Sequence, residues 1–400
     1  MNRAGAVIHP VYAAMEATIF DAMSGLAREL GAINLGQGFP DDSPENGGGP
    51  PELIEAAARA LREKSNQYPP GSGLAELRDA VCAFYARRQG LELAREQVII
   101  TSGATEAIAD AVLALVQAGD EAILFQPAYD AYAPMVRRAG GVPIAVNLRP
   151  PDWRYRAEDL AAAITPRTRV VLLNDPLNPA GTAASAAELG AIAELCVAHD
   201  LIVISDEVWE EVRFAGAAHR SIMTFPGMAE RTVKIGSAGK IFGLTGWKTG
   251  WMVAAPALAQ GLARAHQFVT FTTPPALQWA VAEGLALSDD WFAQRTARWA
   301  ASRARLKGGL EAAAYRVLAN SATWFLCADL AASGIALGDR LFCERLVREA
   351  GVAAIPLSAL FEGDAPGGPI TGIVRFCFTK SDAMLDEATE RLARFRRSLL

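Results

Sequence analysis

Short, mostly apolar runs alternate with amphipathic stretches through the middle of the chain. Each run is three or four residues long, as expected for a buried strand, and helical patterns separate several of them. The predicted strands are Val98–Ile100, Ala122–Phe125, Val170–Leu173, Leu201–Ile204, Val233–Ile235 and Trp251–Val253. Because continuous apolar strands are buried on both faces, the pattern predicts an α/β domain whose mostly parallel sheet is covered by helices on both sides.

Apolar residues at helical spacing predict the helices around this sheet. The predicted helices are 11–31, Pro51–Glu63, a helix with Ile108, Ala111, Val112 and Leu115 on one face, Ala186–His199, and Asp290–Ala313. After Ser288 the regular alternation gives way to mixed strand and helix patterns. The sequence therefore predicts a second, smaller domain at the carboxyl end.

Composition limits the class of protein. A chain of 400 residues fits two domains, and a net charge of −6 argues against a nucleic-acid-binding surface, which needs a basic patch. No apolar run approaches the roughly 18 residues of a membrane span, and the amino terminus has no signal-peptide pattern. Five scattered cysteines argue against a zinc site or a disulfide framework. We therefore expect a cytoplasmic protein that contacts neither membrane nor nucleic acid, with no metal site.

Lys240 is the residue whose surroundings first indicate a chemistry. It follows Ser237 in the segment Ser-Ala-Gly-Lys, and a second cation, Lys248, lies eight residues further on. A lysine amine can form a Schiff base with a carbonyl cofactor, while a hydroxyl and a second cation can hold that cofactor's phosphate. A lone lysine on the surface is the ordinary alternative, so the rest of the chain has to support this interpretation.

Polar residues follow the predicted strands at the points where those strands end. They are Gly103, Ala104 and Thr105 after the first strand, Tyr129 after the second, Asn174 and Asn178 after the third, Asp206 after the fourth, and Ser237 and Lys240 after the fifth. Ligands of open α/β sheets bind outside the carboxyl ends of the strands. Their convergence on one sheet edge supports a cofactor site that includes Lys240.

Each of these residues also has a structural explanation. Thr105 could be the N-cap of a helix, which is compatible with phosphate binding at that helix start. Asp206 could be a solvated strand end or the partner of a pyridine nitrogen. The Asn178 segment could be a plain turn, and Tyr129 could be ordinary packing. Arg375, within an apolar strand-like run, could face water or hold a substrate carboxylate as a bidentate fork.

With these residues together, the chain resembles the fold-type I pyridoxal-phosphate-dependent aminotransferases of class I/II, and most closely the kynurenine, methionine and glutamine-type transaminases. The similarity covers nearly the whole chain. The matching stretches are Ile33–Pro40, Asn66–Tyr68, Gly119–Glu121, Asn174–Thr182, Ser205–Val208, Ser237–Gly250, His266–Phe268 and Val374–Phe378. The resemblance implies an aspartate-aminotransferase-like large domain with a seven-stranded, mostly parallel sheet and a smaller α+β domain. It divides the chain into an N-terminal segment at 1–45, which packs on the small domain and on a dimer partner, a cofactor domain at 46–288 and a small domain at 289–400.

The resemblance also implies roles for individual residues. Lys240 binds pyridoxal 5′-phosphate covalently, Asp206 pairs with its pyridine nitrogen, Asn178 meets its phenolic oxygen, and Tyr129 stacks on its ring. Gly103, Ala104, Thr105, Ser237 and Lys248 belong to the phosphate site, and Tyr68 reaches the phosphate of a neighbouring subunit in a homodimer with shared active sites. Asn174, Arg375 and the Gly38 backbone bind the α-carboxylate of the substrate.

Trp209 is the main departure from the family pattern, which has a tyrosine three residues after the aspartate. An indole N–H donates one hydrogen bond and accepts none. We expect Trp209 either to donate in place of the tyrosine hydroxyl or to line the substrate pocket. Smaller departures are Ala180 in place of a threonine and Lys248 in place of an arginine, which keeps the charge but loses the bidentate fork.

The predicted reaction moves an amino group from an L-amino acid to a 2-oxo acid by a ping-pong mechanism. The sequence shows no clear second arginine for an acidic side chain, and aromatic residues could line the pocket, namely Trp209, Phe268, Phe271 and Trp324. Both features favour apolar, aromatic or sulfur-containing donors. A carbon–sulfur β-lyase with the same cofactor is the nearest alternative, and a non-catalytic regulator that binds pyridoxal phosphate is the second. A nicotinamide enzyme is disfavoured because residues 102–107 do not supply its glycine-rich fingerprint.

Overall fold

The computed structural model describes residues 8–41, 49–214, 218–362, 368 and 370–399. Its α-helices are α1 Pro10–Ala13, α2 Ile19–Glu29, α3 Pro51–Glu63, α4 Ala75–Gln89, α5 Ala104–Leu115, α6 Tyr132–Arg138, α7 Ala157–Ala163, α8 Ala186–Ala198, α9 Ala238–Ile241, α10 Pro256–Gln267, α11 Pro275–Leu285, α12 Asp289–Ala312, α13 Asp339–Arg345 and α14 Asp382–Ser398. No helix in the described ranges is both long and apolar enough to cross a membrane.

The strands are β1 Ile33–Asn34, β2 Val98–Thr101, β3 Glu121–Gln126, β4 Val142–Asn147, β5 Thr168–Asn174, β6 Ile202–Asp206, β7 Thr232–Ser237, β8 Gly250–Val253, β9 Arg316–Val317, β10 Phe325–Asp329, β11 Val352–Ala353, β12 Ile355–Pro356 and β13 Ile373–Cys377. Seven of them form one sheet in the order β2-β8-β7-β6-β5-β3-β4. Only β8 runs against its neighbours. The predicted α/β class with a seven-stranded, mostly parallel sheet is therefore confirmed.

Helices cover both faces of this sheet, which explains why its strands are apolar throughout. Side chains alternate across a strand, so Val170 and Leu172 of β5 enter the core that contains α5, while Val171 and Leu173 enter the core that contains α8. A strand with water on one face would alternate apolar and polar residues instead. The β5 pattern therefore reports double coverage, as the sequence predicts.

A smaller antiparallel sheet, in the order β12-β13-β10-β9, lies in the C-terminal part of the chain. Helices α12 and α14 pack against each other beside it. The N-terminal segment joins this part because β1 pairs in parallel with β11. The predicted boundary between residues 45 and 46 lies outside the described residues, so the domain limits remain predictions.

One predicted helix differs from the structure, and one strand of the large sheet was not predicted. The helix predicted at 11–31 is two helices, α1 and α2, because the side chain of Thr18 caps α2 by accepting a hydrogen bond from the Asp21 N–H at 3.1 Å. The strand β4 was not predicted, because Pro143 interrupts its run and its first four residues are exposed or only partly buried at the edge of the sheet.

Candidate active site

The carboxyl ends of β2, β3, β5, β6 and β7 meet at one edge of the large sheet, and β8 begins there. A cavity of about 1350 Å³ opens at this edge. All predicted site residues line it except Tyr68 and Asn174; those that do are Gly38, Gly103, Ala104, Thr105, Tyr129, Asn178, Asp206, Trp209, Ser237, Lys240, Lys248 and Arg375. The sheet topology thus gathers side chains that lie up to several hundred residues apart in sequence.

Lys240 lies in the short helix α9, directly after β7. Burial lowers the pKa of its amine to about 8, and the positive charges of Lys248 and Arg375 add to this effect, while Asp206 opposes it. The amine lies 5.2 Å from the ring centroid of Trp209. The amine of such a lysine loses its proton, and so becomes a nucleophile, at a pH much closer to neutral than that of a lysine in water does.

The turn between β2 and α5 forms a backbone cradle. Gly103 is the N-cap of α5 with φ +83°, and a Cβ at this position would lie 3.2 Å from Nζ of Lys248. A Cβ on Gly250 would lie 2.8 Å from the Gly103 carbonyl carbon. Because the first N–H groups of a helix have no partners within it, this helix start with a lysine beside it suits a phosphate.

Thr105 is not the N-cap that the sequence suggested. Gly103 takes that position, and Thr105 is the second residue of the helix. The Thr105 hydroxyl instead faces the cavity and lies 3.4 Å from the hydroxyl of Tyr129. Ser237 ends β7 on the same wall, so hydroxyl groups from two strand ends accompany the helix start.

The carboxylate of Asp206 is buried and oriented by two donors. The hydroxyl of Tyr132 donates to its Oδ2 at 2.5 Å, and the Val208 N–H donates to its Oδ1 at 3.3 Å. Burial raises the pKa of Asp206, while the Tyr132 and Val208 hydrogen bonds and the Lys240 charge lower it in part. A buried carboxylate facing the cavity is suited to a cationic ring N–H.

Tyr132 is a site residue that the sequence analysis missed. It opens α6, it is buried, and its ring packs edge-on against Tyr129 at 5.6 Å. The only signal in the sequence is that Tyr132 follows Tyr129 by three residues. Side chains at this spacing lie on the same side of a helical turn. Nothing in the sequence links Tyr132 to Asp206, because the two are 74 residues apart.

The side chain of Asn174 forms two hydrogen bonds with backbone groups of the neighbouring segments. Its amide nitrogen donates to the backbone carbonyl of Asp206 at 2.9 Å, and its side-chain oxygen accepts from the Asn178 N–H at 2.9 Å. Both ends of the side chain are therefore engaged with backbone, and Asn174 is not part of the cavity wall. The structure thus places it as a support for Asp206 and Asn178, whereas binding of a carboxylate remains only a prediction.

Arg375 is a buried cation in β13. One terminal nitrogen donates to the side-chain oxygen of Asn178 at 3.0 Å and the other to the Gly36 carbonyl at 2.5 Å. Burial lowers the pKa of Arg375 to about 10, and no carboxylate within the described ranges forms an ion pair with it. Its guanidinium lies 3.9 Å from the ring centroid of Phe325. A desolvated arginine that lines a cavity without an anionic partner suits a carboxylate ligand.

The Gly38 backbone packs closely against the edge of the same ring. A Cβ at Gly38 would lie 2.5 Å from Cζ of Phe325, so a larger residue there would displace this ring. Trp209 is buried on this wall, with its ring 4.9 Å from Trp324 and 5.3 Å from Phe325. The wall beside Lys240 is therefore aromatic.

Tyr68 lies outside the cavity. Its side chain is 82% exposed and meets the ring of Phe271 edge-on at 5.5 Å. Phe268 is 84% exposed, and neither it nor Phe271 nor Trp324, all suggested for the substrate pocket, lines the cavity. A contact of Tyr68 with the phosphate of a second subunit remains a prediction.

The residues that line the cavity fit a phosphorylated pyridine aldehyde. Lys240 would supply the amine, Asp206 the buried anion for a ring nitrogen, and the Gly103 turn with Lys248 the phosphate cradle. Tyr129 and Asn178 also line the cavity, as their predicted contacts with the ring and with its phenolic oxygen require. Of the predicted site residues, only Asn174 and Tyr68 do not line the cavity.

Comparison with known proteins shows the family to which the chain belongs. Residues 31–392 match the family model described as aminotransferase class I and II. The chain is 43% identical to the probable N-succinyldiaminopimelate aminotransferase DapC of Mycobacterium tuberculosis over 384 residues, covering 94% of this chain and 95% of the relative. It is 37% identical to the methionine aminotransferase of Escherichia coli over 376 residues, covering 94% and 95%. The solved structure of the N-succinyldiaminopimelate aminotransferase of M. tuberculosis matches with a TM-score of 0.91 at 42% identity, covering 97% of this chain and all of that one.

Proposed function

Because the chain belongs to the class I and II aminotransferases and is a transaminase that uses pyridoxal phosphate, we propose that it takes amino groups from apolar, aromatic or sulfur-containing L-amino acids. The observation that carries this proposal is the aromatic wall of Trp209 and Phe325 beside Lys240. An apolar side chain gains free energy by leaving water for such a wall.

The bound cofactor would supply an electrophilic aldehyde carbon and an electron-withdrawing ring. Within that frame, the fork of Arg375 and the Gly38 backbone would hold the donor's α-carboxylate, and the Lys240 amine would take the α-proton. An amine with a pKa of about 8 suits this role, since general bases work best with a pKa near the working pH. The Asp206 carboxylate, to which Tyr132 donates a hydrogen bond, would accept one from the cationic ring nitrogen of the bound cofactor. We propose ping-pong kinetics, with the donor's oxo acid leaving before the acceptor binds.

A second candidate substrate class has an anionic group at the far end of the donor. Three arginines, Arg137, Arg138 and Arg340, line the outer part of the cavity. Arg137 is paired with Glu362 at 2.6 Å, whereas Arg138 and Arg340 have no ion pair within the described residues. The relative in M. tuberculosis is named for N-succinyldiaminopimelate, which carries such carboxylates. These arginines support a long donor with a distal carboxylate as the second candidate class.

A panel of L-amino acids and N-succinyl-L,L-diaminopimelate, each with pyruvate and with 2-oxoglutarate, tests both classes. We expect higher kcat/KM for methionine, kynurenine or phenylalanine than for aspartate, and Lys240→Ala should abolish turnover with every donor. A strong preference for aspartate would refute the apolar assignment, and preference for the succinylated donor would select the second class. Pyruvate and ammonia formed from a cysteine conjugate without an oxo acid would instead indicate β-lyase activity.

We also infer a homodimer and a cytoplasmic location. The rings of Tyr68 and Phe271 support the dimer, because they are in contact and 82% and 40% exposed, and contiguous exposed apolar surface marks interaction sites. All five cysteines are unpaired, which supports a reducing compartment. Sedimentation at several protein concentrations would measure the dimer directly, and a monomer at all of them would contradict it.

A further inference from the structure

Three titratable side chains are buried together beside the phosphate cradle, and none of them lines the cavity. Glu106 and Asp110 lie one turn apart on α5, and His266 approaches both from α10. Their exposures are 7%, 0% and 1%. Negative charges on two carboxyl groups buried near the start of a helix that receives a phosphate would oppose the binding of that phosphate. The charge of His266 therefore decides whether these carboxyl groups weaken phosphate binding.

The hydrogen bonds of His266 determine its protonation. Its Nδ1 lies 3.0 Å from Oε1 of Glu106 and 3.3 Å from Oδ2 of Asp110. Its Nε2 lies 3.0 Å from the carbonyl oxygen of Gly71, which can only accept. Nε2 faces a carbonyl oxygen and Nδ1 faces the Glu106 carboxylate, whose pKa is lowered by its hydrogen bonds, so both ring nitrogens carry a proton and the ring is an imidazolium. Burial lowers the pKa of His266, but the hydrogen bond to Glu106 and the nearby Asp110 carboxyl group outweigh burial and raise the pKa to about 9.

The same carboxylate that pairs with His266 holds the cradle. Glu106 accepts a hydrogen bond from the Ser102 N–H, at the turn that enters Gly103, and another from the Thr270 hydroxyl. The Ser102 hydroxyl lies 3.0 Å from that of Thr273, so a second contact joins the same two segments. His266 therefore acts on the cradle through Glu106, and on the segment that carries Tyr68 through Gly71.

We propose that His266 is a positioning residue for cofactor binding: its positive charge compensates Glu106 and Asp110, and its two N–H groups fix the phosphate cradle against the Gly71 segment. The inference rests on the proposed cofactor site, since it assumes that the phosphate lies at the Gly103 turn. It predicts that His266 contributes to the affinity for the phosphate group specifically, and little to the affinity for the pyridine ring.

The test measures the dissociation constants of pyridoxal phosphate and of phosphate-free pyridoxal for the apoprotein. The dissociation constant of pyridoxal divided by that of pyridoxal phosphate gives the contribution of the phosphate, and a larger ratio means a larger contribution. We expect His266→Asn, which keeps a donor near Glu106 but loses the charge, to lower this ratio about tenfold, as for the loss of one charge-assisted hydrogen bond. The double variant His266→Asn with Asp110→Asn, which removes one uncompensated carboxylate, should recover most of the loss.

Two further variants separate positioning from general destabilisation. Tyr315→Phe deletes a buried hydrogen bond to the Leu392 carbonyl, far from the cradle in sequence and in a different part of the core, and should leave the ratio unchanged. Glu106→Gln keeps an acceptor for the Ser102 N–H while removing one negative charge, so it should raise the ratio. This variant also carries the test if His266→Asn does not fold.

An unchanged ratio in His266→Asn, a double variant without recovery, or a lower ratio in Glu106→Gln would each overturn the inference. These outcomes differ from failure of the proposed function, because in that case the unmodified protein itself would not bind pyridoxal phosphate.

Discussion

Lys240 should titrate far below an ordinary lysine in the cofactor-free protein. Its pKa of about 8, against 10.5 for a free side chain, arises mainly from burial. At pH 7 roughly a tenth of the amine would be the free base, about 300 times the fraction of a lysine in water, and at pH 9 roughly nine tenths. Nucleophilic reactivity follows this fraction, so it should rise between pH 6 and pH 9 and level off above.

Two neighbours shift this titration in opposite directions. The positive charge of Lys248 lowers the pKa of Lys240, and the negative charge of Asp206 raises it. Lys248→Met should therefore move the midpoint of the reactivity curve to higher pH, because a repelling cation is removed. Asp206→Asn should move it to lower pH, because the charged amine loses its nearest anion.

Competitive acetylation with a limiting amount of acetic anhydride, followed by peptide mass spectrometry, measures the curve at the Lys240 peptide. The exposed Lys64 serves as the internal reference for reagent and pH. A Lys240 midpoint near 10.5, or shifts of the same sign in the two variants, would refute the electrostatic description of this site.

Three substitutions test other parts of the site. Tyr132→Phe removes a donor to the buried Asp206 carboxylate, so kcat should fall about tenfold to a hundredfold with little change in KM, in steady-state assays; an unchanged kcat contradicts the orienting role. Arg375→Lys keeps the charge but loses the fork, so KM for the amino donor should rise about tenfold or more while cofactor affinity, measured by titration, is retained. Trp209→Phe keeps the apolar wall without the indole N–H. We expect a changed donor preference in the substrate panel if Trp209 lines the pocket, and a changed absorbance of the bound cofactor if its N–H donates to it. If both properties are unchanged, both proposed roles are wrong.

The apolar pattern predicted most of the large sheet because its strands are buried on both faces. Such strands must be apolar throughout, and this requirement is local, as the fully buried β6 core residues Val203 and Ile204 illustrate. The strand β4 was not predicted because its first four residues are exposed or only partly buried and Pro143 interrupts the run, which an edge position tolerates. Helix ends that depend on a side-chain cap, such as Thr18, were also harder to predict than helix interiors.

The sequence by itself determined the class of fold, the position of Lys240 after a strand, and the set of polar residues that follow the other strands, because each of these depends on neighbours within a few positions. Only the tertiary structure decided which polar groups meet. It directed Asn174 to backbone partners, placed Tyr132 on Asp206, and buried His266 between two carboxylates of another helix. These contacts join residues 32, 74 and 160 positions apart, and the direction of a side chain in a packed core is fixed by such distant partners.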